Sequence, residues 1–378
     1  MKAAGYLFAV LAAAGAGWGA AWLAAAGFNE AAIAAANIPR TISFSQSAAA
    51  VSASDAIETP AADASSLTAP VSPASAVTPP ISAPVPAAAS SSTVTVLIGG
   101  DLMFDRYVRI LGGRHGYDWL FSGIAPLMKS ADIAVANLEG PIAATSSATV
   151  LADGEITTEL SFVFEPAVVG ALADAGFGLV SLANNHTYNR GAAGLAETKK
   201  WLSDAGIAWF GDPLNRPGDY RIVTAKGISI AFVGYHEFSP GLAAVLSDIR
   251  KLHARGYPVV VMPHWGDEYA TTSDALQRKI AAAMAAAGAS AIVGAHPHVV
   301  EDSQWIGGVP VVYSVGNLVF DQYFSSDVMH GEVVELDFAK ATSGAAVLSA
   351  VELHPVSYKE GQGPQPDGAA YPLPRPGV

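Results

Sequence analysis

Five polar clusters in this sequence carry atoms suited to divalent metals: Asp101, Glu139, Asn185 with His186, His264, and His296 with His298. Each follows or closes an apolar run that reads as a strand. A lone histidine after a strand is usually a satisfied structural residue, and an asparagine equally often caps a turn. Carboxylate, carboxamide and imidazole at five separate strand ends make a harder coincidence. Such oxygen and nitrogen donors suit Zn, Mn or Fe. A pair of divalent ions can activate water and clamp a developing oxyanion. Cysteine is absent, which excludes disulfides, thiolate metal sites and cysteine nucleophiles together.

Alternating strands and helices must position these groups. Strands are expected at 93–100, 133–139 and 177–186, and a hairpin over 220–235 turns at Lys226-Gly227. Further strands lie in YPVVVMPHW, ASAIVGAHPHV, VPVVYSVGN, GEVVELDFAK and GAAVLSAVELHPV. Helices are expected in IAPLMKSAD, PAVVGALADAG, GLAETKKWLSDAG, LAAVLSDIRKLHARG and SDALQRKIAAAMAAAG. The alternation predicts α/β layers, and the closing run of strands a mixed or second sheet. In open α/β folds ligands bind in the crevice beyond the carboxyl ends of the strands.

The remainder of the 378 residues has another character. From Ala3 to Phe28 no side chain is charged, enough for a membrane helix. Residues 1–28 therefore read as a transmembrane anchor, with a cleaved signal segment or an Ala-rich soluble helix as alternatives. Residues 29–92 read as an Ala/Ser/Pro-rich linker, semi-stiff and disordered, with seven prolines after residue 40. The tail 358–378 is too rich in Gly and Pro to predict regular structure. This leaves one folded domain at 93–357, expected outside the cytoplasm on a single-pass anchor in the cell membrane. Lys plus Arg total 20 against 33 Asp plus Glu, a formal charge of −13. A chain so poor in cations is unsuited to general nucleic-acid binding.

The segments GDLMFDR, NLEGPI, SLANNHTYNRG, PHWGDEY, GAHPHVVE and YSVGNLVFDQ resemble the signature blocks of the CapA family, the bacterial poly-gamma-glutamate and capsule synthesis proteins. That family is similar to the calcineurin-like metallophosphoesterases. The resemblance covers roughly 93–335 and implies a four-layer αββα sandwich with one or two divalent ions between its loops. It implies metal ligation by Asp101, Glu139, Asn185, His264, His296 and His298, with Glu139 bridging. It places His186, together with Asp101, in the catalytic machinery, His186 assisting the leaving group or transition state. Two positions depart from the wider pattern. Met103 stands where the phosphoesterases have a histidine ligand, leaving Asp105 or a water to substitute. Asn189 replaces an aspartate beside His186.

Around these blocks the readings divide. Arg106, His236, Glu268, Tyr269, Glu301, Asp321 and His330 each admit a cleft-lining or an ordinary surface or packing role. Asn317 either orients neighbouring loops or forms a turn, and Trp265 reads as core. The resemblance implies a capsule or poly-gamma-glutamate protein hydrolysing a polymer or its precursor. The alternative is a non-catalytic polymer-binding partner of a membrane synthase or export complex. Partners would be an anionic polymer such as poly-gamma-glutamate, or a cell-envelope precursor, and membrane synthase subunits.

Overall fold

The computed structural model describes residues 93–151 and 154–374. The expected anchor at 1–28 and linker at 29–92 lie outside the described residues. Among the described residues no helix is long and apolar enough to cross a membrane.

Among the described residues the structure is mixed α/β, with two sheets and seven α-helices. The first sheet is built on four parallel strands, β1 (Val94–Leu102), β2 (Ile133–Leu138), β3 (Phe177–Ser181) and β4 (Ala208–Phe210). Helices α1 (Arg106–His115), α2 (Tyr117–Phe121) and α3 (Ala125–Met128) connect β1 to β2; α4 (Val168–Asp174) and α5 (Gly191–Asp204) make the next two crossovers. The second sheet opens with the hairpin β5 (Arg221–Ala225) and β6 (Ile228–His236). It continues through α6 (Leu242–Ala254), β7 (Val259–His264), α7 (Ala275–Ala287) and β8 (Ala291–Val293), with β6, β7 and β8 parallel. Next come β9 (Ser303–Ile306) and β10 (Val309–Val312), after which the chain returns to the first sheet. There β11 (Asn317–Val319) pairs parallel with β1, β12 (His330–Lys340) pairs antiparallel with β1, and β13 (Ala346–Ser357) with β12.

Side-chain alternation along each strand assigns the layers. In β1, Val94, Val96 and Ile98 pack with Ile230 and Phe232 of β6 and Val260 and Met262 of β7, so one core lies between the sheets. Leu97 faces the other way and packs with Val108, Phe121, Leu172 and Leu202 of the helices. On the far side of the second sheet, Ala231 and Val261 meet Ile249 of α6 and Ile280 and Met284 of α7. The order is helices, sheet, sheet, helices.

The tail departs from the sequence expectation. After Tyr358 the chain folds back as β14 (Gln365–Pro366) and β15 (Tyr371–Pro372), both paired with β13. Tyr358 and Leu373 are buried, and the Tyr358 hydroxyl donates to Val328 O at 2.5 Å. Two-residue strands carry no periodicity, so composition alone reads them as coil; what holds them is an unfilled edge of β13. The helix α1 was also not expected, because Gly112 and Gly113 interrupt its apolar pattern. Gly112 is required where it stands, since a Cβ there would lie 2.4 Å from the Tyr117 ring.

Candidate metal centre

The carboxyl ends of β1, β2 and β3 in one sheet, and of β7 and β8 in the other, deliver the polar groups. Asp101 lies within β1, since the strand runs one residue past it. Glycine makes that possible: a Cβ on Gly100 would sit 1.9 Å from Gly316 O, so only glycine lets the chain entering β11 approach here. Asp101 N then donates to Gly316 O at 3.2 Å.

The six expected ligands fall into two adjoining groups. In the first, Asp101, Glu139 and His298 bring one ligand atom each within 4.8 Å of one another, all buried. His298 Nδ1 lies 3.3 Å from Asp101 Oδ2 and 3.0 Å from Asn317 Oδ1. Asn317 cannot turn its nitrogen there, because Nδ2 is already held by His298 O, Gln322 Oε1 and Val328 O. His298 Nδ1 therefore carries the ring hydrogen and Nε2 presents a lone pair, 3.9 Å from Glu139 Oε1. In the second group His264 Nε2 lies 2.9 Å from Asn185 Oδ1 and 3.1 Å from His296 Nδ1. The two groups are joined where His296 N donates to Asp101 Oδ2 at 3.2 Å.

Two further asparagines hold this arrangement. Asn137 Nδ2 donates to Asp101 Oδ1 at 2.8 Å and lies 3.3 Å from His264 Nδ1. Asn184 Nδ2 donates to Asn137 Oδ1 and Leu138 O, while its Oδ1 accepts from the His186 and Thr187 backbones. Sequence reading did not single out either one. The available signal was a buried amide inside the otherwise apolar strand IAVANL. Backbone strain gathers here as well: His296 and His298 have φ of 103° and 61°, left-handed values costing about 1–3 kcal/mol each.

Glu139 is the exception in this network. Its carboxylate is fully buried and neither oxygen has a hydrogen-bond partner. Burial, followed by the nearby Asp101 charge, pushes its pKa well above the ordinary carboxylate value. A buried carboxylate without partners is strongly disfavoured, and a cation between it and the facing donors removes that cost. The imidazoles are tuned to match. Burial, then neighbouring histidines, drives His264 and His296 well below 6.5, so their lone pairs are free at neutral pH. The residues present thus fit a divalent ion.

His186 sits beside this set with Nε2 4.0 Å from Glu139 Oε1 and its ring 4.4 Å from that of Phe162. Burial, then the proximity of His298 and Arg106, lowers its pKa to about 3. Asn189, in the aspartate position, places Nδ2 3.1 Å from His186 Nδ1 and 2.9 Å from Leu160 O.

Asp105 does not take the place of the missing histidine. Its Oδ1 accepts from Arg106 N and Ser147 Oγ, and its Oδ2 from Val163 N at 2.8 Å. It caps α1 and ties Ser147 and Val163 to the start of that helix. Met103 Sδ accepts from Asp105 N at 3.0 Å. Arg106 is paired with Asp321 and lies over the Phe162 and Phe320 rings. Trp265 is core, as read, stacked on Tyr313. Glu301 is buried against Gln277 Nε2, and His330 lies exposed beside Asp367. A second convergent group, Glu335, Glu352 and His354, lies on β12 and β13, where a 2.7 Å bond between His354 and Glu335 accounts for it.

Residues 95–322 match the family described as bacterial capsule synthesis protein PGA_cap, a span that runs from β1 past Asn317 and holds every residue of both groups. The chain belongs to the bacterial capsule synthesis protein family. Curated members agree. The PGA biosynthesis protein CapA of Bacillus subtilis (strain 168) is 30% identical over 288 residues, 70% of this chain and 73% of its own. The capsule biosynthesis protein CapA of Bacillus anthracis is 30% identical over 295 residues, 72% of this chain and 69% of its own. Among solved structures, TT1561 of Thermus thermophilus aligns with 64% of this chain and 94% of its own, at 12% identity and a TM-score of 0.36. That likeness is too slight to bear on the reading of this capsule family member.

Proposed function

We propose that this protein is an envelope-anchored, divalent-metal-dependent hydrolase of capsule or poly-gamma-glutamate assembly, acting on the anionic polymer or its precursor. The observation that carries the reading is Glu139, a buried carboxylate with both oxygens unpartnered, faced by ligand-ready imidazole and carboxylate groups. Support for the polymer comes from the relatives named above for capsule and PGA biosynthesis. Support for the anchor is the uncharged run from Ala3 to Phe28 ahead of the Pro-rich linker. On this reading the body lies outside the cell membrane on a single-pass segment, near the membrane synthase subunits.

Asp101, Glu139 and His298 would hold one ion, and Asn185, His264 and His296, with Glu139 between them, a second, as in metallophosphoesterase-like centres. Divalent ions there would supply Lewis acidity, activating water and offsetting negative charge on the reacting group. The chain's own residues do the rest. Asn137 and Asn317 fix the Asp101 carboxylate and the His298 ring by hydrogen bonds. An amide nitrogen cannot accept a hydrogen bond, so Asn189 leaves the His186 hydrogen on Nε2, the nitrogen nearer Glu139. From there the neutral His186 ring would donate a hydrogen bond, with no proton transferred, to the negative charge developing on the leaving group. The Phe162 ring, packed on His186, shields it from water.

One observation favours a second reading, a polymer-binding partner without turnover. Met103 stands where the resembling pattern has a ligand, and Asp105 is consumed elsewhere, so among the described residues the first group has three protein donors. A panel of phosphoesters and γ-glutamyl peptides, tested with the metal-loaded full-length chain, separates the two. Metal-dependent cleavage of any member supports the hydrolase; polymer binding that persists after both ions are removed, with no cleavage, supports the partner.

A further inference from the structure

The two metal-holding groups leave one buried imidazole unused. His236 closes β6 in register with His264 on β7, the two rings 6.3 Å apart. It is 3% exposed, and its Nε2 meets no hydrogen-bond partner. The 212–216 loop fixes its orientation twice. Pro213 O lies 2.8 Å from Nδ1, and a carbonyl only accepts, so the ring hydrogen sits on Nδ1 and Nε2 is a bare lone pair. Asn215 brackets the same residue, accepting from His236 N at 2.8 Å and donating to His236 O at 2.7 Å. Asn215 holds this position at a left-handed φ of 52°. Asp212 braces the loop through Leu214 N and the Arg216 guanidinium.

A purely structural imidazole satisfies both nitrogens, and leaving one buried and unmet costs about 1–3 kcal/mol. Phe238 adjoins His236, 46% exposed, with its ring 5.6 Å from that of His236 and 4.6 Å from that of His296. An aromatic wall thus runs from solvent to the second group of donors, with an acceptor at its foot.

We propose that His236 Nε2 accepts a hydrogen bond from an N–H or O–H group of the substrate, next to the bond held at the metal centre. This rests on the hydrolase reading above. In a γ-linked glutamate polymer the donor is the amide N–H. His236 then selects substrates that offer a donor at that position, and Phe238 covers the contact from water.

The experiment uses the full-length chain loaded with zinc and labelled with ¹⁵N-histidine, and a short γ-linked glutamate oligomer as probe. The His236 Nε2 signal, identified by its loss in His236→Phe, is expected at the position of an unprotonated nitrogen. It should shift on adding the oligomer. Calorimetry should show His236→Phe binding the oligomer about tenfold more weakly, with His236→Gln, whose amide oxygen can accept, recovering most of the loss. Zinc content should be equal in all three. Equal affinity in wild type and His236→Phe would overturn the inference; so would loss of zinc in both variants, or an Nε2 already protonated or zinc-shifted in the free chain. Should wild type not bind the oligomer at all, the polymer reading fails by itself, and the nitrogen signal still decides whether His236 offers a bare acceptor.

Discussion

Glu139 and His186 share one small volume, yet the physics assigns them different work. Glu139 is stabilised only by what sits between it and its neighbours, whereas His186 already has Asn189 and Phe162 to orient it. Replacing His186 by alanine is expected to reduce turnover about 100-fold, within the usual range for losing a hydrogen-bond donor to developing charge, with metal content unchanged. Metal analysis and single-turnover kinetics on the same sample check this, and loss of metal would make His186 a ligand instead. Glu139→Gln should split in the opposite way. Because the Glu139 pKa is raised, the metal-free folded state loses stability as pH climbs above the ordinary value of 4.5. The glutamine variant lacks that loss. Metal-free Glu139→Gln should therefore melt higher than metal-free wild type at pH 8, while retaining less metal. A lower melting temperature would show that the carboxylate is satisfied in the folded chain.

At the scale of elements, five strand ends create the centre, and close backbone approach holds it. Gly100→Ala puts a methyl group 1.9 Å from Gly316 O. Neither backbone can yield without moving Asp101, so the change should cost about 3 kcal/mol and lower metal retention together. Chemical denaturation and metal analysis of the variant test both halves; a stable variant with full metal would mean that β11 does not position Asp101. Much of this layer was legible beforehand. The strand ends bearing Asp101, Glu139, Asn185, His264 and His296 follow β-branched apolar runs, and the hairpin turn at Lys226-Gly227 stands where the chain calls for a positive φ. What escaped had no periodic signal. The three-residue β11 and the two-residue β14 and β15 exist because longer strands offer them an edge. Asn137 and Asn184 act through bonds between strands far apart in sequence, and no spacing within either block discloses them.

For the molecule as a whole, most of the acidity lies in the folded body and its tail, since only Lys2, Arg40, Glu30, Asp55, Glu58 and Asp63 are charged before Thr93. Inside that acidic body is a set of neutral buried imidazoles. Burial lowers the His236 pKa from 6.5 to about 4. Unfolding exposes the ring, so between those values the unfolded chain holds more protons and stability falls as pH falls. Metal-free His236→Phe should lose this dependence, flattening the slope by about 1.4 kcal/mol per pH unit in denaturant titrations across the window. An unchanged slope would mean that His236 is already protonated, or open to water, when folded.

The central claim is that the two adjoining groups form a metal centre, and metal stoichiometry tests it most directly. The full-length chain, loaded with Mn, Zn or Fe and then gel-filtered, should keep at least one divalent ion. Glu139→Gln combined with Asp101→Asn should keep none, with the same circular dichroism as wild type. A folded wild-type chain that retains no ion, or a double variant that retains as much as wild type, would contradict the account.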